Sequence, residues 1–193
     1  MWFCTVTCFN VVVCDTAAVP VHVDINPPLP GTAEQNFIDE LTRAHRIIDQ
    51  LMQTSRDVIG LIHRLTENPS ADDLTTADQL TNEFEAALYQ GGIPPGLVPS
   101  LAYMLAHNVI RGIRMVLTRH GESIVVYFLC KTVKAHYDLG QMIVSGFMHA
   151  VFDAAIQSVA RTTVDVYVRA DEFNLKLLCL SSPQRKGLST EPR

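Results

Sequence analysis

The stretch "TAEQNFIDELTRAHRIIDQLMQTSRDVIGLIHRL", residues 32–65, decides the fold class of this 193-residue chain. Apolar or small residues recur along it at alternating spacings of three and four: Phe37, Leu41, Ala44, Ile48, Leu51, Ser55, Val58, Ile62 and Leu65. Charged residues fill other positions, so the pattern predicts an amphipathic helix of about nine turns that buries one stripe. Thr32 and Gln35 have the spacing of a capping box, which marks the helix start.

Three further helices are predicted downstream. The second runs from Ser70, a favourable N-cap, to the glycines at 91 and 92. The third covers about residues 97–120, carries its arginines toward the C-terminal half, and is capped by Gly121. The fourth covers about residues 139–161. Between the last two, "SIVVYFLC" at 123–130 fits either a strand or a helix buried on most sides.

The two chain ends have strand-like patterns. Residues 1–31 contain no Lys or Arg, and "FCTVTCFNVVV" and "VHVDI" predict short strands before the stiff linker "NPPLPG". Near the other end, "TTVDVYVR" and "LKLLCL" flank "ADEFN" and predict a β-hairpin. Since chain ends often lie close together in a domain, we expect one small sheet built from both.

These patterns predict a mainly α protein, a helical bundle with short β segments at both chain ends. The predicted divisions are a strand-like segment and linker at 1–31, the bundle at 33–161, a hairpin at 162–180 and a disordered tail at 181–193. Apolar residues make up 48% of the chain, and its length allows a core without disulfides or metal. The net charge of −5 argues against nucleic-acid binding, which needs a basic field.

The cysteines and the apolar N-terminus bear on location. Five cysteines, an odd number, do not suggest a disulfide framework, and Cys4, Cys8 and Cys14 lack a second ligand pair for zinc. No metal site is expected.

A secretory signal needs positive charge before its apolar run, but the first basic residue is Arg43, so we expect a cytoplasmic protein, with secretion as the alternative. The uncharged window 86–110 is broken by glycines and prolines, so no transmembrane segment is expected.

The stretch "LTRHGES" at 117–123 resembles the Arg-His-Gly loop of histidine phosphatases and phosphoglycerate mutases. The resemblance implies His120 as a phosphate-accepting nucleophile and Arg119 as a phosphate clamp. Several features depart from that family: the preceding residues have helical spacing, no Asn follows the Glu, and too few residues follow for the rest of an α/β sheet. We therefore interpret the stretch as a helix end and expect no catalytic residue and no cofactor.

A second resemblance covers residues 34–138. "FIDEL" at 37–41, "DVIGLIHRLTENPSADDL" at 57–74 and "LVPSLAYMLAHNVIRGIRMVLT" at 97–118 resemble the helix starts and apolar helices of the TIPE family, the tumour-necrosis-factor-induced, death-effector-like helical proteins. The family's lysine-rich stretch is missing, and "RHGES" stands where Lys-Ser is expected. The resemblance implies a non-enzymatic helical barrel with an apolar lumen for lipid tails. Arg111, Arg114 and Arg119 would then bind an inositol phosphate; the alternative is solvated arginines at a helix end.

The sequence therefore favours binding or assembly over catalysis. One hypothesis is an interaction protein that uses an apolar helix face or its strand edges, for example as a homo-oligomeric scaffold. Another is a carrier or sensor that holds a lipid or phosphoinositide in an apolar cavity of the bundle. A secreted, cytokine-like helical ligand and a histidine phosphatase are the remaining alternatives.

Overall fold

The computed structural model describes residues 18–67, 73–119, 123–160 and 163–170, which form six helices and four strands. In chain order the elements are β1 (Val19–Asn26), α1 (Gly31–Thr54), α2 (Arg56–Glu67), α3 (Asp73–Gln90), α4 (Val98–Ile110), β2 (Ile113–Arg119), β3 (Ile124–Cys130), α5 (Val133–Val144), α6 (Phe147–Val159) and β4 (Asp165–Ala170). The described chain is thus mainly helical, as the sequence predicts.

The four strands form one antiparallel sheet in the order β2-β3-β1-β4. β1, which contains the predicted "VHVDI" strand, pairs with β4 from Asn26 opposite Asp165 to Val21 opposite Ala170. The expectation that strands from the two ends share a sheet is therefore confirmed. The predicted strand "FCTVTCFNVVV", the second hairpin strand "LKLLCL" and the tail at 181–193 lie outside the described residues.

Burial alternates along the strands, so the sheet has two different faces. In β3, Ile124, Val126 and Phe128 are buried, whereas the residues between them are half-buried. Successive side chains of a strand point to opposite faces. One face therefore packs on the helices, and the less buried face is called here the outer face.

The helices and the inner face of the sheet share a single apolar core. Its largest fully buried side chains come from different layers and include Phe37 of α1, Phe84 of α3, Phe128 of β3 and Phe152 of α6. Close packing extends to the helix ends, because a Cβ atom added at Gly96 would lie 3.1 Å from the Cβ atom of Ser158. That contact places the start of α4 beside the end of α6.

The predicted nine-turn helix is two helices. Ser55 has an extended backbone, with φ −86° and ψ 115°, and it ends α1. The Ser55 hydroxyl also accepts a hydrogen bond from the Val58 amide at 3.4 Å, as an N-cap side chain does at the start of α2. The apolar spacing continues across this break, which is why periodicity alone did not reveal it.

The prediction that one helix covers residues 97–120 is wrong. α4 ends at Ile110, and Gly112, with φ +70°, lets the chain turn into β2. The ambiguous segment at 123–130 contains strand β3, which pairs with β2. Strands therefore lie in the middle of the chain as well as at its ends, and the predicted bundle at 33–161 includes half of the described sheet.

The helix predicted at 139–161 is also two helices. Gly146, with φ +80°, separates α5 from α6, and the two axes bend by 61°. Among the described residues, no single helix is both long and apolar enough to cross a membrane. α5 and α6 reach such a length only as this bent pair.

Candidate functional site

One side of α4 carries Tyr103 and His107, and Arg111, the C-cap residue of this helix, follows them at the same spacing. They are four residues apart, which places them in successive turns on the same side of the helix. Tyr103 is 43% exposed, while His107 and Arg111 are half-buried. The stripe therefore runs along the boundary between the core and the solvent.

The first residue of α6 completes an aromatic cluster on this stripe. The Phe147 ring centroid lies 5.5 Å from that of Tyr103 and 5.3 Å from that of His107. The Tyr103 and His107 rings meet edge to face with their centroids 4.3 Å apart. We call Tyr103, His107 and Phe147 the aromatic face. Such tilted contacts are the favoured geometry for aromatic rings.

Burial and the neighbouring Arg111 together affect the protonation of His107. The Nη1 atom of Arg111 lies 2.9 Å from His107 Nδ1 and donates to the His107 carbonyl oxygen at 3.0 Å. Because a guanidinium group has only donors, Nδ1 accepts, and the imidazole proton is on Nε2. Burial and then the Arg111 charge lower the pKa of His107, while Asp78 of α3 acts in the opposite direction. His107 is therefore neutral near pH 7.

The next residue, Asn108, lies in the apolar interior. It is 1% exposed, and neither its side-chain oxygen nor its nitrogen has a hydrogen-bond partner among the described residues. Leu101, Met104 and Leu105 precede it at helical spacing and are all buried. Most buried side-chain amides are paired, so this one calls for an explanation.

The structure assigns different partners to the arginines that the sequence put forward as ligand-binding. Arg111 contacts His107, as above, whereas Arg114 of β2 binds the Asp49 carboxylate of α1 with an N–O distance of 2.5 Å. His45 Nε2 lies 3.3 Å from the same Asp49 oxygen. Arg119 pairs through its backbone at the end of β2, and its side chain is outside the described part of the chain. Arg111 and Arg114 therefore face different neighbours, and the binding of an inositol phosphate by the three arginines stays a prediction.

The loop that resembles a phosphatase motif follows a strand. β2 ends at Arg119, so the objection based on helical spacing before His120 is wrong. His120, Gly121 and Glu122 lie outside the described residues. β2 and β3 are antiparallel neighbours. The expectation of a non-enzymatic protein stays a prediction.

Other polar groups make contacts within the fold. His22 Nδ1 lies 3.2 Å from the Ser123 hydroxyl, which joins β1 to the start of β3, and His136 Nδ1 lies 3.1 Å from the Thr132 carbonyl oxygen. Burial raises the pKa of the Cys130 thiol to about 12, so this thiol stays protonated. Within the described ranges, no three His, Cys, Asp or Glu side chains are grouped as metal ligands would be.

Comparison of this chain with protein-family models, curated proteins and solved structures found no match. The resemblance to the TIPE family is therefore an untested prediction. Sequence reasoning put forward Arg111 but missed the aromatic face and Asn108. The four-residue spacing of Tyr103, His107 and Arg111 was readable, whereas Phe147 joins them only through the packing of α6 on α4.

Proposed function

We propose that the protein is a non-enzymatic binding protein whose aromatic face contacts a partner protein. The observation that carries the proposal is the contact of two aromatic rings and a neutral imidazole at the surface, with Tyr103 43% exposed. Tyrosine, phenylalanine and arginine are enriched at protein interfaces, and binding energy concentrates in a few such side chains.

The surroundings of the aromatic face support this proposal. Val144 is 68% exposed, the most exposed of the large hydrophobic side chains in the described chain. It is the last residue of α5, three residues before Phe147, and it places an exposed apolar side chain at the junction of the two helices. Arg111 stands beside the cluster as a charged rim. Adjacent exposed apolar side chains of this kind mark interaction sites.

The chain offers a matched pair of tyrosines for a test. Tyr103 on α4 and Tyr89 on α3 are 43% and 48% exposed. Tagged full-length protein would be purified from its own cells as wild type, Tyr103→Asp and Tyr89→Asp, and co-purified proteins would be quantified by mass spectrometry. We expect Tyr103→Asp to lower the yield of a specific partner at least about tenfold, the effect of losing ~1.4 kcal/mol. An equal yield from all three forms would contradict the proposal.

Self-association is a second candidate function, favoured by the outer face of the sheet. The half-buried residues of β3 on this face are Val125, Tyr127 and Leu129, and a strand that is apolar on both faces is typical of a strand covered on both sides. Val116 on β2, the neighbour of β3, is 40% exposed, and Tyr167 on the edge strand β4 is 56% exposed.

Light scattering during size-exclusion chromatography tests this candidate. Self-association predicts a mass that is a multiple of the 21.4 kDa chain and that falls to one copy in the Tyr167→Asp variant. A single-copy mass for the wild type at its highest soluble concentration would remove this candidate. It would leave the aromatic face available to a different protein.

A further inference from the structure

We propose that the helical layer also binds a neutral apolar molecule through the side-chain amide of Asn108. The inferred ligand carries one polar group that presents a hydrogen-bond donor and an acceptor side by side, as a carboxamide does. The observation is the burial of Asn108 to 1% exposure with both side-chain polar atoms unpaired among the described residues.

The apolar neighbours of Asn108 make this burial informative. Leu101, Met104 and Leu105 form the same buried side of α4, so a leucine at position 108 would continue the stripe without an unpaired amide. A buried polar group that lacks a partner destabilises the folded chain, and few persist in native proteins. A ligand that pairs with the amide accounts for an asparagine at this position.

The surroundings also define the charge of the ligand. A charged group is strongly disfavoured in an apolar interior unless an opposite charge accompanies it. Arg111, the nearest described cation along α4, already contacts His107. The asparagine amide offers two N–H donors and one carbonyl acceptor. A neutral carboxamide matches it with two hydrogen bonds, and an apolar tail suits the leucine and methionine side chains beside it.

The aromatic face adjoins this interior position. His107 precedes Asn108 and is therefore about 100° away around the helix. The two proposals nevertheless use different groups. The aromatic face would bind a protein at the surface, whereas Asn108 would bind an apolar ligand in the interior. The inference stands whether or not the aromatic face binds a protein.

Isothermal titration of the full-length protein with octanamide and N,N-dimethyloctanamide tests the inference. The two probes share the tail and the carbonyl, but the second lacks the N–H donors. Asn108→Leu removes the proposed partner, and Asn82→Leu on the exposed side of α3 is the control. We expect octanamide to bind wild type and Asn82→Leu equally, and to bind Asn108→Leu at least about tenfold more weakly, as the loss of a hydrogen bond in a buried site predicts.

The dimethyl probe keeps the test valid if Asn108→Leu does not fold. We expect the wild type to bind it at least about tenfold more weakly than octanamide, because it cannot donate to the Asn108 oxygen. Failure of the wild type to bind octanamide would overturn the inference, as would equal binding of the two probes. Equal partner yields from wild type, Tyr103→Asp and Tyr89→Asp, with octanamide binding intact, would remove only the proposed function. A specific loss of the partner in Tyr103→Asp, with no octanamide binding by the wild type, would remove only this inference.

Discussion

Replacing Asn108 by leucine should stabilise the protein in the absence of any ligand. The side-chain amide is 1% exposed, and its two polar atoms have no partner among the described residues. Both atoms lose their hydrogen bonds to water on folding, and no hydrogen bond with the described residues replaces them. Leucine has the same branching pattern as asparagine and no polar atom to desolvate.

The size of the gain follows from two opposing contributions. Each unpaired buried group costs about 1–3 kcal/mol, so removing two of them is worth roughly 2–6 kcal/mol. Leucine has as many heavy atoms as asparagine but a larger volume, and overpacking a core costs about 1–3 kcal/mol. The midpoints of these two ranges, about 4 and about 2 kcal/mol, predict a net increase of about 2 kcal/mol in the free energy of unfolding, which for a domain of this size corresponds to roughly 4–8 °C in Tm.

Urea denaturation of ligand-free protein, followed by circular dichroism, measures this change. The exposed control Asn82→Leu should stay within about 0.5 kcal/mol of wild type. If Asn108→Leu lowered the free energy of unfolding by more than about 1 kcal/mol, the amide would have to be hydrogen-bonded in the folded state. That result would refute the reasoning, since an internal water or another partner would then satisfy Asn108.

Three further predictions concern His107, Thr132 and Phe152. The folded state lowers the pKa of His107, so the unfolded chain binds a proton more readily and the stability of the protein should fall as the pH drops below about 6.5. In thermal denaturation, His107→Gln should lose less stability than wild type between pH 7 and 5. The Thr132 hydroxyl accepts a hydrogen bond from the Ala135 amide at 3.0 Å at the start of α5, so Thr132→Ala should cost about 1 kcal/mol by urea denaturation, while Thr54→Ala should change little. Phe152 is fully buried, so Phe152→Ala should cost about 3–5 kcal/mol; a cost below 1 kcal/mol would contradict its place in the core.

The chain ends show what periodicity can predict. "VHVDI" and "TTVDVYVR" alternate strictly, and both contain strands that pair in the sheet. In the middle of the chain the same method failed, because Val109, Ile113 and Val116 also fit a helical stripe that continues from α4. Gly112, with its positive φ, separates α4 from β2. From the sequence alone, a glycine inside a helical pattern can lie either within a helix or at its end.

The breaks within long helical patterns were missed for a related reason. Ser55 and Gly146 interrupt the helix backbone, while the apolar side chains on either side keep their phase. Local signals were present in both cases. Ser55 is a favourable N-cap residue, and Asp57 is an acidic residue in the first turn that follows it. At the second break, the pair Ser145 and Gly146 is typical of a helix end.

The candidate site was less predictable than the fold. The sequence analysis put forward Arg111 as a ligand-binding residue but did not single out its partner His107. Phe147 is 40 residues beyond His107 in the sequence, and only the packing of α6 against α4 brings their rings to 5.3 Å. The unpaired state of Asn108 depends on every neighbour in the core, so no local pattern could indicate it.

Site-specific photo-crosslinking from position 103 tests the central claim most directly. A photoreactive phenylalanine analogue would replace Tyr103 in the full-length protein, and in a parallel sample Tyr89, within the cells that make the protein. We expect a discrete covalent adduct from position 103 that Phe147→Ala removes and that position 89 does not give. The same adducts from both positions, or none from position 103, would contradict the claim that the aromatic face is a binding surface.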